Sequence, residues 1–516
     1  MHRQLWLALT LGVSACASFD GCFGNTPPAD PPGQPGTGTQ WHVSPTGLAT
    51  NAGTEESPWD LASALAQRSE IAAGDAIWLH AGTYAGVFDS TLSGTRETPT
   101  LVRVAPGERA ILADNRRNAG GAALQINGGW TTYWGLEITN TNEARGVLPN
   151  DASPRFRPMA TQVQGPNVSL VNFVVHDTGH AFGFWREAVD AEIYGALVYN
   201  CGSQNTDTDV THGHGVYAQN DTGEKRITDS IFLNGFGFGV HMYPNPGGTQ
   251  GFRIEGNVVA ESGVLSDSAW RLNTILVGGY GSYPADRIHV LNNFTYHGVD
   301  SAPEERAIYA NACFNCIDLG LGGSLELRGN TFAGGLALLG VANFTDVTAR
   351  DNAIVGSNIL VSHQSPASAT RSDWGNNHYY GGRTLPFGAN GSALNFAGWQ
   401  AAMNGDATST HSLTMPTGAW VALRQNRYEP DRAFLVVYNW SLSPTVDADV
   451  STFLEAGDDY EVRLAADPFA PPILTGTWES GPLTFPMTGH SVAAPVGWLA
   501  AASSAPRFAV FLIRKS

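Results

Sequence analysis

From about Gly120 onward the chain repeats one short pattern: two or three alternating apolar residues, a Gly, Asn or Asp, often a second Asn, then more apolar residues. The turn positions align at Gly135, Asn172, Gly195, Asp229, Gly256, Asn292, Gly329 and Asp351, in steps of 22 to 37 residues. The shortest steps suit one bare coil of three brief strands and three turns, and the longer ones carry loops. Gly256-Asn257, Asn292-Asn293, Gly329-Asn330 and Asp351-Asn352 repeat a turn-forming pair. Asn tolerates the left-handed conformation at such corners and can bond to its copy in the next coil. No long amphipathic helix intervenes, which disfavours a doubly wound α/β fold, and an antiparallel sandwich would not repeat Asn at one corner. The pattern predicts a right-handed parallel β-helix.

The ends of this solenoid also read from pattern. The folded part opens at Trp41-His-Val-Ser-Pro. A helix is then expected, with Ser57 as N-cap, Pro58 in the first helical position, and Leu61, Ala64, Leu65 and Arg68 on one face. Such a helix would cover the first coil. Ala76-Ile-Trp-Leu79 and Thr100-Leu-Val-Arg-Val104 follow as short strands, with the turn Ala81-Gly-Thr-Tyr84 between them. A composition shift near Ser368 to Thr410 marks a boundary. Beyond it, Trp420–Arg424, Ala433–Trp440, Tyr460–Leu464 and Phe508–Arg514 read as strands of a small antiparallel β-sandwich. The expected organisation is a lipoprotein-type signal peptide at 1–16, a tether at 17–40, a β-helix with an N-terminal cap at 41–375, a linker at 376–410 and the sandwich at 411–516.

Trp41-His-Val-Ser-Pro-Thr-Gly47, Gly53-Thr54, Ser57-Pro58, Ala73-Gly-Asp-Ala-Ile-Trp-Leu79, Ala81-Gly-Thr-Tyr84 and Thr98-Pro-Thr-Leu-Val-Arg-Val-Ala-Pro-Gly-Glu108 resemble the opening of bacterial pectin-lyase-like β-helix proteins. Those include alginate-lyase-like and chondroitinase-B-like polysaccharide lyases. The resemblance spans roughly residues 41 to 370 and implies the fold. Its motifs belong to the cap and first coils, not to an active site. Arg424-Gln-Asn-Arg-Tyr-Glu-Pro430, Tyr438-Asn-Trp440 and Phe485-Pro-Met487 resemble the β domains appended to several glycan-degrading enzymes, where packing or a weak glycan contact is expected.

Charge and the N-terminus narrow the setting. The net charge of −18, with Lys225 and Lys515 the only lysines, argues against a nucleic-acid partner. An acidic polysaccharide remains compatible, because a local Arg cluster or bound cation can reverse the field in one groove. No cofactor and no metal ligands are assigned, although a bound Ca2+ is compatible with this reading. A monomer is expected. His2 and Arg3, the apolar run Leu5–Val13 and the small residues before Cys16 form an export signal. Val13-Ser-Ala-Cys16 resembles a bacterial lipobox, with Cys16 the lipidated residue; ordinary secretion is the alternative. Localisation is therefore the outer surface or periplasm as a lipoprotein, with the lipid anchor as the one membrane contact, or the medium. Residues 25–40 are mostly Pro, Gly and Thr and suit a tether. Cys313-Phe-Asn-Cys316 lacks further ligands in register for zinc, leaving a local disulfide or buried thiols.

Candidate chemistry lies on one strand family. Alternation turns Phe182 and Phe184, Val216 and Ala218, Val240 and Met242, Ile275 and Val277, and Ile308 and Ala310 inward. Gly183 and Trp185, Tyr217 and Gln219, His241 and Tyr243, Leu276 and Gly278, and Tyr309 and Asn311 then face out, with Glu187 continuing the first row. Aromatic faces stack on sugar rings, and His, Gln and Asn bond hydroxyls. The densest stretch runs from Asp207 through His212 and His214 to Tyr217, with Lys225 beyond. Gly213-His214-Gly215 resembles the Gly-His-Gly of polygalacturonases, but their paired aspartates come from separate earlier coils, and that pattern is absent. Two mechanisms stay open. For β-elimination, His214, Tyr217, His241 and Tyr243 offer base and acid, while Arg271, Arg306 and Lys225 offer charge neutralisation. For glycoside hydrolysis, Glu187, Asp207, Asp209, Glu304 and Glu305 are the carboxylates. Trp185, Glu187, His212, Gln219, Lys225, Arg271, Tyr309 and Asn311 are expected to bind substrate. A non-catalytic, glycan-binding or adhesive solenoid is the further alternative.

Overall fold

The corners determine the architecture. Asn172, Asp229, Asn292 and Asp351 take φ values of +53°, +46°, +55° and +59°, and Gly135, Gly195, Gly256 and Gly329 lie at +79°, +64°, +68° and +67°. All eight bend the chain through the left-handed region that Asn, Asp and Gly reach at least cost. The computed structural model describes residues 36–117, 120–147, 157–205, 210–244, 247–266, 273–279, 283–298 and 310–515. Within them the corners stack coil upon coil and generate three 12-stranded sheets.

The first sheet runs from Gln40–Val43 to Arg371–Gly375, and the third from Gly82–Ala85 to Thr410–Ser412. The second runs from Phe88–Ser90 to Phe387–Ala389 and adds Ser392–Leu394 in antiparallel pairing. The other pairings within these sheets are parallel, Val216–Ala218 with Val240–Met242 among them. The fold is a right-handed parallel β-helix, the hand that parallel crossover connections adopt.

The second residue of each corner pair ties neighbouring coils together. The Asn257, Asn293, Asn330 and Asn352 side-chain amides donate to the side-chain oxygens of Asn293, Asn330, Asn352 and Asn377, at 2.9 to 3.0 Å. Each also donates to a backbone carbonyl, so the buried ladder leaves its amide donors satisfied.

The ends differ from expectation in detail. The N-terminal helix is Leu61–Leu65, and its N-cap is Asp60, whose side chain accepts from the Ser63 N–H at 2.9 Å. Ser57 cannot cap it, because it closes a turn with Thr54, and Trp59 after it pairs with the first strand: Trp59 N–H donates to His42 O and Trp59 bridges Val43. Residues 376–410, expected as a linker, contain His378–Gly381, Phe387–Ala389, Ser392–Leu394 and the helix Phe396–Met403. Trp399 and Met403 of that helix enter the solenoid core and close its C-terminal end.

Beyond Ser412, Ala419–Gln425, Arg432–Asn439, Asp458–Leu464, Leu474–Trp478 and Phe508–Lys515 form a five-stranded antiparallel sheet. Alternation gives it two apolar faces. Leu435, Val437, Val462, Phe511 and Ile513 pack on the two-stranded sheet of Thr445–Ala448 and Leu483–Pro486. Phe434, Val436, Tyr438, Phe508 and Val510 pack on the outer face of the third sheet, against Tyr199, Leu233, Phe294 and Tyr296. The third sheet is thereby covered, while the outer face of the second stays clear of this domain's core.

Candidate functional site

Along the short strands of the second sheet, successive side chains point to opposite faces, and each coil repeats the alternation about 4.8 Å further on. Phe182, Phe184, Val216, Ala218, Val240, Met242, Ile275 and Val277 fill the lumen, all 0 % exposed. The residues between them register as Gly183, Tyr217, His241 and Leu276, continuing to Cys313, Gly340 and Ser362. Two positions before each lumen pair, a second ladder stands at the strand entrance: His180, His214 and Phe238. The two ladders meet. Ring centroids of His180 and His214 lie 4.7 Å apart, as do those of His214 and His241, and Tyr217 lies 5.0 Å from His241. Trp185 meets Tyr217 edge-on at 5.7 Å, and Tyr243 lies 5.7 Å from His241.

The backbone orients these rings. The N–H of His214 donates to Nδ1 of His180 at 3.0 Å, and the N–H of Phe238 donates to Nδ1 of His214 at 3.2 Å. Each imidazole thus accepts from its counterpart one coil on. A neutral ring that accepts at Nδ1 carries its proton on Nε2. His180 and His214 therefore present N–H donors and cannot ligate a metal through Nε2 as neutral imidazoles. Among the described residues, no group of three or more His, Cys, Asp or Glu side chains is placed to hold a metal ion. Nδ1 of His241 is buried and has no hydrogen-bond partner.

Burial sets the charge state. Desolvation, reinforced by the neighbouring imidazole of His212, pushes His180 down to about 4, and His241 falls to about 3 by burial and the nearby His180. Burial lowers His212 to about 4 and, with the other imidazoles, holds His214 well below the usual range. All four are uncharged at neutral pH. Tyr217 is shifted the other way, its phenol raised by burial while it bonds the Gln219 side chain. The cluster joins neutral imidazoles to a protonated phenol in ring contact.

The remaining expected site residues divide. Trp185 lies back across Gly183, where a Cβ would come 3.1 Å from its ring, and Tyr243 leans over Gly278, where a Cβ would come 3.3 Å away. Both rings are partly exposed. His212 ends a flap at the groove rim, formed by Gly146–Val147, Ser203–Asn205 and Val210–His212. Glu187 is exposed and paired with Arg186 at 3.0 Å. Gln219 is buried.

Two expectations are corrected. Lys225 is 0 % exposed and cannot touch a ligand in the groove, because it occupies the lumen-facing register shared with Phe252. Asn311 is also buried, and its amide donates to the carbonyl oxygens of Ala333 (2.7 Å) and Gly334. In that coil Ile275 and Val277 pair with Ala312 and Phe314 rather than with Ile308 and Ala310. Cys313 is disulfide-bonded, while Cys201 is a buried free thiol pushed up to about 11 by desolvation. Asp207, Asp209, Arg271, Glu304, Glu305, Arg306, Tyr309, Cys16 and the side chain of Cys316 lie outside the described residues. His180 was not foreseen, although its offset from Phe182 equals that of His214 from Val216.

No protein-family model matches the chain. No curated protein matches it either. Solved structures similar to it include a pectate lyase, at 15 % identity over 66 % of this chain and 79 % of that one, with a TM-score of 0.40. Another is the catalytic unit of an α-1,3-glucanase from Streptomyces thermodiastaticus, at 15 % identity over 76 % and 66 % of the two chains, with a TM-score of 0.46. An alginate lyase from a Paenibacillus species is 16 % identical over 69 % of this chain and 99 % of that one, with a TM-score of 0.37. These likenesses are of fold.

Proposed function

We propose that the protein processes an acidic polysaccharide by β-elimination in the groove of the second sheet. The observation that carries this reading is the contact between His241, held unprotonated, and Tyr217, held protonated, with ring centroids 5.0 Å apart. A uronate breaks by loss of its C5 proton to a base, followed by expulsion of the C4 glycosidic oxygen, which an acid protonates. His241 suits the base and Tyr217 the acid. The Nε2–H groups of His180 and His214 suit hydrogen bonds to the substrate carboxyl as charge accumulates there. Trp185 and Tyr243 suit stacking on the flanking sugars.

Hydrolysis would require two carboxylates facing the scissile bond. Among the described residues the outward row offers a single one, Asp89, four strands from Tyr217: it reads Asp89, Gln125, Gln162, Gly183, Tyr217, His241, Leu276, Cys313, Gly340 and Ser362. Incubation with a panel of uronic-acid polysaccharides, followed by ultraviolet absorbance, tests the reading through its unsaturated product. Reducing ends without unsaturation would replace it by hydrolysis, and binding without cleavage by a glycan-binding solenoid.

Export with lipidation at Cys16 is part of this proposal. Cys16→Ala is expected to release the protein from the membrane fraction, and an unchanged distribution would favour simple secretion.

A further inference from the structure

Buried charges in proteins are paired, because removing an ion from water is costly. Lys225 departs from this rule. Its side chain is 0 % exposed, and its Nζ donates to three backbone carbonyl oxygens: Phe184 at 3.3 Å, Gln219 at 2.6 Å, and Trp185. Three acceptors match the three donors of an ammonium, whereas a neutral amine would set its lone pair against a carbonyl. The cradle is built for the charged form, and no carboxylate among the described residues pairs with it. The carboxylates that favour the ammonium, Glu187 and Asp221, act at a distance and are engaged elsewhere. Glu187 pairs with Arg186 at 3.0 Å, and Asp221 accepts from the N–H of Gly248.

The cradle sits directly under the groove. Trp185 and Gln219, whose carbonyls hold the ammonium, immediately follow the strands Phe182–Phe184 and Val216–Ala218. The Gln219 side chain bonds the phenol of Tyr217, which in turn meets His241. We infer that Lys225 is the buried cation to which an acidic sugar in the groove supplies a counter-charge, so that the sugar binds together with a proton taken up by the lysine. This inference rests on the acidic-polysaccharide reading for its ligand, and it does not require that the ligand be cleaved.

The sign follows from linkage. Without ligand, desolvation lowers Lys225 to about 7, so the amine and ammonium are both populated at neutral pH. A carboxylate above the floor favours the ammonium and raises that value; binding then takes up protons, and affinity falls as pH rises through neutrality. The other groups facing this region add little positive charge at neutral pH. His180, His212, His214 and His241 are uncharged; Tyr217 stays protonated; Arg186 is paired with Glu187.

The composition makes the test direct, since the chain has only Lys225 and Lys515. Protein labelled with 13C at lysine Cε should give two signals, with Lys515→Arg assigning the other to Lys225. The Lys225 signal is expected to titrate near neutrality and to move upward by about one pH unit, a roughly tenfold change in affinity across the range, on addition of a mannuronate or galacturonate oligosaccharide. The carboxyl-reduced oligosaccharide should leave it unmoved. Calorimetry at pH 7 in buffers of different ionisation enthalpy should record proton uptake that Lys225→Met abolishes, with a melting curve showing the variant folded. Lys225→Arg, whose charge does not titrate, should bind without uptake and serves if Lys225→Met fails to fold. A Lys225 signal unmoved by a bound acidic oligosaccharide overturns the inference, as does failure of the acidic oligosaccharides to bind. Unsaturated product with an unmoved signal would overturn this inference alone. Proton uptake without product would overturn only the β-elimination reading.

Discussion

His180, His214 and His241 form a cluster in which geometry and burial suppress positive charge. Two of the rings accept backbone N–H groups at Nδ1, and the third carries a buried, unpartnered Nδ1. If the groove is the active site, His241→Ala and Tyr217→Phe should each lower kcat by roughly 100-fold or more, the scale of a lost general base or acid. Tyr243→Phe should act mainly on KM. Steady-state rates of unsaturated product formation check both. The cluster also predicts an acid sensitivity. The unfolded chain binds protons at these imidazoles below about 6.5, whereas the folded chain resists until about 4 at His180 and His212 and about 3 at His241. The unfolded state therefore holds more protons in that window, and stability should fall as pH drops from about 6.5 towards 4. Melting temperatures at pH 7 and pH 5 test this, and His241→Gln should show a smaller drop than the parent.

At the scale of the element, the Asn ladder makes each coil depend on the next. Asn330 is buried, and its side-chain oxygen accepts from both the backbone N–H of Asn293 (2.9 Å) and its side-chain amide (3.0 Å). Its own amide donates to Val290 O and to Asn352. Asn330→Ala should cost about 2–3 kcal/mol, because it strands a buried N–H and a carbonyl together; denaturant unfolding measures the loss. The flap that carries His212 has a comparable anchor. The Arg145 guanidinium, 0 % exposed, binds the carbonyls of Asn200, Gly202 and Val496 and the carboxylate of Asp177. Val496 returns an N–H to Asp177 at 2.8 Å, so a segment from the C-terminal part fastens the base of a loop at the groove.

Over the whole molecule, the C-terminal sheet is a second skin for the solenoid. Its apolar face covers the third sheet, and a polar seam fixes its position. Arg427 reaches Glu192 at 2.7 Å, Arg424 binds Asp229, and Trp134 donates to Glu429 at 2.7 Å. Arg427→Ala leaves the buried Glu192 carboxylate with only the weaker hydroxyl donors Tyr428 and Thr228. It should lower stability by about 2–3 kcal/mol, and Arg427→Met with Glu192→Gln should recover part of the loss, as read from thermal melts. Since the sandwich packs away from the second sheet, these variants should leave glycan binding in the groove intact.

Local periodicity determined much of this molecule. The eight corner residues, the lumen-facing pairs from Phe182 to Val277, and the main C-terminal strands follow from turn chemistry and a period of two, which operate over a few residues. Three things needed tertiary structure. The coil after Val277 pairs through Ala312 instead of Ile308, a shift of even length that leaves alternation unchanged and so cannot be seen in the pattern. Lys225 and Arg226 look alike as a basic pair, but Lys225 shares the inward parity of Ile227 while Arg226 faces solvent; only closure of the coil shows which one is buried. His180 and His214, 34 residues apart, meet because an intervening loop returns the chain to the same corner. A contact of that kind depends on where the coils stack, and stacking is a property of the closed solenoid rather than of any single stretch of chain.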